Sequence, residues 1–169
     1  TTHPGGSITG GPGRNAATFD AFAADLQAHG GDVECITDLS MDMSKAFQAG
    51  ARRQCPQARV TFDPFHVIAL ASRALDQVRR AEVKAEPDLK GSRWALLKDS
   101  ARWNYKQICT MHWLQRSGLK TARAWRLKQA LRRLYEANPT LDEASHLLDR
   151  WISWARRSRL SPFKRLGAT

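Results

Sequence analysis

The spacing of apolar positions changes several times along the chain, and each change marks an element. In "NAATFDAFAADLQAHGG", Phe19, Phe22, Ala23 and Leu26 recur at helical intervals before Gly30-Gly31, which predicts a helix near 15–29 with a glycine stop. "DVECITDLSMD" then places Val33, Cys35, Ile36, Leu39 and Met41 in a run that predicts a strand near 33–41, either interrupted near Asp38 or running on to Asp42. "MSKAFQAGARRQCP" reads as a helix near 44–54, with Ser44 at its N-cap and Pro56 beyond its end. "ARVTFD" predicts a second strand near 59–63, and "FHVIALASRALDQVRRAE" a longer helix near 65–84. Residues 1–14, rich in Gly and Thr, read as a loop or a frayed strand end.

After about residue 85 the strand signals stop. "GSRWALLKDSARWNYKQICTMHWLQRS", "TARAWRLKQALRRLYEAN" and "LDEASHLLDRWISWARRSR" all carry helical periodicity, punctuated by Gly118 and by Asn138-Pro139-Thr140. Thr140 with Glu143 has the spacing of a capping box. The expected architecture is therefore α/β over residues 1–84 and all-α over 85–169, predominantly helical overall. No internal repeat interrupts it.

Composition adds class. With 42% apolar residues in 169, the chain is long enough to bury a core. No apolar run is long enough to span a bilayer. The three cysteines stand far apart without a CxxC pair, which fits reduced thiols in a cytoplasmic protein better than a disulfide framework or a zinc site.

Charge adds a partner. Residues 1–50 hold 2 basic and 6 acidic residues, a net of −4, and residues 51–169 hold 25 and 10, a net of +15. A basic excess of this size on one part of a chain points to a polyanion such as nucleic acid. The competing reading is a solvated basic helical surface. Six tryptophans (Trp94, Trp103, Trp113, Trp125, Trp151, Trp154) fall in the same part. They either stack on bases or fill a helical core, and the three-residue spacing of Trp151 and Trp154 favours packing.

Candidate chemistry lies at the strand ends. Asp42 follows the first expected strand and Asp63 the second, and carboxylates at the ends of neighbouring strands converge in the manner that hard divalent cations require. His66 sits about one helical turn beyond Asp63. Spacing alone leaves alternatives open. Asp63-Pro64 is also the signature of an N-cap followed by a first-turn proline, and His66 on an apolar face is also a core histidine.

The segments "MDMSKAF", "CPQARVTFDPFHV", "ALDQVRRAE", "LKGSRWALLK", "TARAWRLKQALRRLY" and "WISWARRSRLSPFKRL" resemble, in order and spacing, the transposases of the bacterial ISL-three insertion-sequence family. The likeness covers nearly the whole chain after about Gly13. It implies a partial RNase H-like core interrupted by a basic, Trp-rich helical insertion, and a parent enzyme that cuts and joins DNA with a DDE triad and two Mg²⁺ or Mn²⁺ ions. It implies that Asp42 is the second triad aspartate, that Asp63 and His66 form the acidic-x-x-His motif after the next strand, and that Asp42 and Asp63 serve the metal. It implies DNA contacts from the basic helices, with Arg79, Arg80, Arg93, Lys98, Arg123, Arg126 and Lys128 as candidates. It also implies work on transposon ends and target DNA, in the bacterial cytoplasm at the nucleoid, as a homo-oligomer.

The likeness places the first triad aspartate before this chain and the glutamate after it. Asp20, Asp25 and Glu34 do not replace the missing aspartate, since two sit within a helix and one at a strand start. Pro64 stands where the family usually has a basic residue. The expectation is an interior segment without strand-transfer activity or a tightly held metal of its own. The alternative is a non-enzymatic DNA-binding or regulatory remnant.

Overall fold

A computed structural model describes residues 16–41, 43–137 and 139–168. The chain divides into two compact units between Val67 and Ile68, earlier than the expected boundary at 84/85.

The first unit holds helix α1 (Ala16–Ala28), a 3-10 turn (Val33–Cys35), strand β1 (Asp38–Met41), helix α2 (Lys45–Gln54) and strand β2 (Arg59–Phe62). Helix α1 stops where Gly30 takes φ +77°, a conformation that costs an L side chain steric strain. Helices α1 and α2 approach closely at Gly50, where an added Cβ would come within 2.7 Å of the Phe19 Cβ. Asp20 ties them together: it accepts from the Gln54 amide at 2.8 Å and ion-pairs with Arg53.

The first strand is shorter than its apolar run predicts. The Asp32 carboxylate accepts from the Glu34 N–H at 2.9 Å, and the Gln57 side-chain amide lies within hydrogen-bond reach of the Val33, Glu34 and Ile36 carbonyls. Val33–Cys35 therefore turns, and extended pairing begins only at Asp38. From there β1 and β2 run parallel with α2 as the crossover, in the register Asp38↔Arg59 to Met41↔Phe62. Asp38 and Arg59 form a cross-strand ion pair at 2.6 Å on the exposed face. Leu39, Met41, Val60 and Phe62 alternate onto the half-buried face.

Helix α3 (Pro64–Glu82) leads into the second unit, where every described element is helical. The expected helices of residues 92–117 are broken into α4 (Arg93–Leu97), a 3-10 turn (Ser100–Arg102) and α5 (Tyr105–Arg116). Side chains make the breaks. Asp99 accepts from the Ala101 N–H at 2.9 Å, and Asn104 with Gln107 forms a capping box that starts α5 afresh. Helices α6 (Lys120–Glu136), α7 (Leu141–Arg157) and α8 (Ser161–Leu166) follow. The capping box expected of Thr140 and Glu143 opens α7. Leu75, Leu96, Leu114, Leu127, Leu131 and Phe163 are fully buried and form the centre of this unit's core.

Candidate functional site

The Asp63 N–H donates to the Met41 carbonyl at 2.9 Å, the last ladder bond of the Met41↔Phe62 pair. Asp63 then stops the strand and starts α3. Its Oδ1 accepts from the Phe65 N–H at 2.8 Å, while Pro64, which has no N–H to satisfy, occupies the first helical position. The capping reading of Asp63 is therefore correct, and it leaves Oδ2 uncommitted to the cap. That oxygen lies 3.7 Å from His66 Nε2, with both side chains nearly half exposed. His66 is not a core histidine; the exposed Phe65 ring meets it edge-on at 5.9 Å.

Asp63 and His66 are thus brought together. Asp42, next in sequence after Met41, lies outside the described residues. Among the described residues no three His, Cys, Asp or Glu side chains converge as metal ligands. Asp63 Oδ2 is a hard oxygen donor of the kind Mg²⁺ takes, but one carboxylate does not complete an octahedral set.

The second unit separates the expected DNA contacts by their electrostatic surroundings. Arg79, Arg80 and Arg93 all converge on Asp76, at 2.8, 2.8 and 3.9 Å. Burial pushes the Asp76 pKa up, but the Arg79 hydrogen bond and the charges of Arg79, Arg80 and Arg93 outweigh it and hold it below the ordinary value. Arg79 is itself only 12% exposed, so it serves this cluster, while Arg80 and Arg93 still reach solvent. Arg93 also lies 5.3 Å from the centroid of the Trp94 ring. Lys98 is exposed just beyond α4.

Lys128 requires a correction. It is 2% exposed, and its ammonium donates to the Leu96 and Leu97 carbonyls at 2.8 and 3.3 Å, at the end of α4. Desolvation, helped by the Arg132 charge, lowers its pKa to about 8. An enclosed ammonium of this kind braces α4 and is not a surface contact for phosphate.

Helices α6 and α7 pack side by side, the start of α6 against the end of α7, and a groove runs between them. At one end a cavity of about 370 Å³ is lined by Arg123, Arg126, Trp154, Arg157 and Arg159. A larger cavity of about 620 Å³ continues past Trp154 between Leu134, Leu147, Arg133 and Arg150. Among the described residues, none lining either cavity carries a carboxylate. Arg126 donates to the Gln115 carbonyl at 2.6 Å, and no described carboxylate lies within ion-pairing distance of Arg123, Arg133, Arg150, Arg157 or Arg159.

The two tryptophans of α7 divide their roles. Trp151 is buried, and its indole N–H donates to the Leu127 carbonyl at 2.8 Å, stitching α7 to α6; Trp154 stays 41% exposed in the groove. Packing therefore accounts for the first and not the second. Arg157 and Arg159 were missed by the sequence reading, although the run "WARRSR" carries their signal as arginines interleaved with tryptophan.

Residues 2–169 match a family profile described as transposase, of the ISL-three DDE group. The chain is 32% identical over 189 aligned residues to the transposase for insertion sequence element IS1557 of Mycobacterium tuberculosis, covering 93% of this chain and 41% of that protein. It is 29% identical over 133 residues to the transposase for insertion sequence element IS1001 of Bordetella parapertussis, covering 74% and 32%. The chain thus spans about two fifths of the first relative and a third of the second. No solved structure matches it.

Proposed function

This chain belongs to the ISL-three family of transposases, and on that premise we propose that it is the part of a DNA-cleaving and strand-joining enzyme where a catalytic RNase H-like core passes into a basic helical insertion. The match along residues 2–169 carries the reading. The β1–α2–β2 unit, with parallel strands and Asp63 at their carboxyl end, supports it, because that is where open α/β sheets gather their functional groups.

Asp42 and Asp63 are the carboxylates this segment contributes to a Mg²⁺ or Mn²⁺ site. The cap fixes Asp63 by Oδ1 and would leave Oδ2 available to the ion, with His66 Nε2 3.7 Å from that oxygen. The ion, when bound, supplies activation of a water or a 3′-hydroxyl and charge stabilisation at the scissile phosphate. Transposon-end and target DNA meet the exposed cations of the second unit, with the groove arginines ahead of Arg79 and Lys128.

Metal binding tests the assignment without relying on activity. Mn²⁺ titrated by electron paramagnetic resonance into a transposase of the relatives' length carrying this segment is expected to bind more weakly by at least tenfold after Asp42→Ala. Equal affinity in the two proteins contradicts the assignment.

A further inference from the structure

We propose that the groove between α6 and α7 takes an unpaired stretch of DNA strand, with one base stacked on Trp154 and the flanking phosphates held by Arg123, Arg126, Arg157 and Arg159. This deepens the functional reading above and rests on its assignment of DNA to the helical unit.

Charge, shape and backbone conformation each contribute. An arginine-lined cavity with no carboxylate among its described residues is complementary to a polyanion, and the arginine fork suits phosphate oxygens. Arg79, Arg80 and Arg93 spend charge on Asp76, whereas Arg123, Arg157 and Arg159 have no acidic partner among the described residues.

The occupant must also explain the indole. A matched duplex presents phosphates and groove edges, with its base faces stacked on one another, so a flat aromatic ring recessed between two helices gains little from it. An unpaired strand offers base faces. Trp154, 41% exposed and lining both cavities, supplies a stacking surface where they meet, with Leu147 lining the larger one beside it. Each cavity has the volume of a small-molecule site, large enough for a base and too small for a duplex.

Arg159 adds an independent sign. It has φ +59°, the only non-glycine residue with positive φ among those described. It lies two residues past the end of α7, where helices commonly end on a left-handed glycine. An arginine at such a position tolerates backbone strain while lining the cavity, as strained residues at binding sites do.

The test uses the 169-residue chain with two probes at low salt: a single-stranded oligonucleotide carrying 2-aminopurine and its matched duplex. The wild type is expected to bind the single strand with a change in 2-aminopurine fluorescence. Trp154→Ala is expected to abolish that change and weaken single-strand binding roughly tenfold while leaving duplex affinity unaltered. Arg159→Gly relaxes the backbone, so its Tm is expected to stay the same or rise while single-strand affinity falls, which separates lost contact from lost fold.

Trp154→Ala with unchanged single-strand affinity, or with an equal loss for duplex, overturns the groove assignment and leaves DNA binding by the unit standing. A wild-type dimer that Trp154→Ala dissociates without changing oligonucleotide affinity overturns it in favour of a second copy. No binding of either probe overturns the DNA reading itself.

Discussion

Lys128 is a base held where water does not reach it, and its effect on stability follows from one comparison of protonation states. Its folded pKa of about 8 lies below the ordinary 10.5, so between those values the unfolded chain keeps a proton that the folded chain has released. Stability contributed by this group therefore rises as pH rises through that window, by up to about 3 kcal/mol. Urea unfolding at pH 7.5 and 9.5 is expected to show the rise, and Lys128→Met to flatten it. Asp63 makes a second prediction at this scale. Asn caps as Asp does, so Asp63→Asn is expected to keep stability within about 0.5 kcal/mol, and Asp63→Ala to lose about 1 kcal/mol. The burial of Lys128 was present in the sequence without being read: Thr121, Ala124, Lys128 and Leu131 follow at helical spacing, and all four are buried on one face of α6. Asp63 was legible because capping is local.

At the scale of elements, ends decide more than interiors. Helix α6 begins at Lys120 without a capping side chain of its own, and Glu82 at the end of α3 supplies one. Its carboxylate accepts from the Lys120 N–H at 2.8 Å and the Thr121 N–H at 2.7 Å. Glu82→Ala is expected to cost about 1–2 kcal/mol in chemical denaturation, with Glu82→Gln recovering part of it. Sequence reading could not find this cap, because its partners are 38 and 39 residues apart. The shortening of β1 escaped for the same reason, since Gln57 restrains Val33–Cys35 across more than twenty residues. Thr140 and Glu143 sit three apart and were readable. Asn104 and Gln107 carry an Asn/Gln version of the same box, outside the usual Ser/Thr pattern, and the break before α5 went unread.

Taken whole, the chain carries a formal charge of +11 with the excess beyond residue 50, an asymmetry legible in the sequence itself. What the sequence could not apportion was which cations are free: the fold commits three arginines to Asp76 and buries Lys128, leaving the α6–α7 groove with its arginines uncompensated by any described carboxylate. If about five phosphates are neutralised, single-strand affinity falls roughly a hundredfold between 50 and 200 mM salt. Fluorescence anisotropy across that range checks the expectation, and a flat response contradicts it. The catalytic claim has a more direct test. Cleavage of transposon-end DNA by a transposase of full length carrying this segment is expected to vanish in Asp42→Ala while DNA affinity and Tm stay at wild-type values. Wild-type cleavage by that variant contradicts the account.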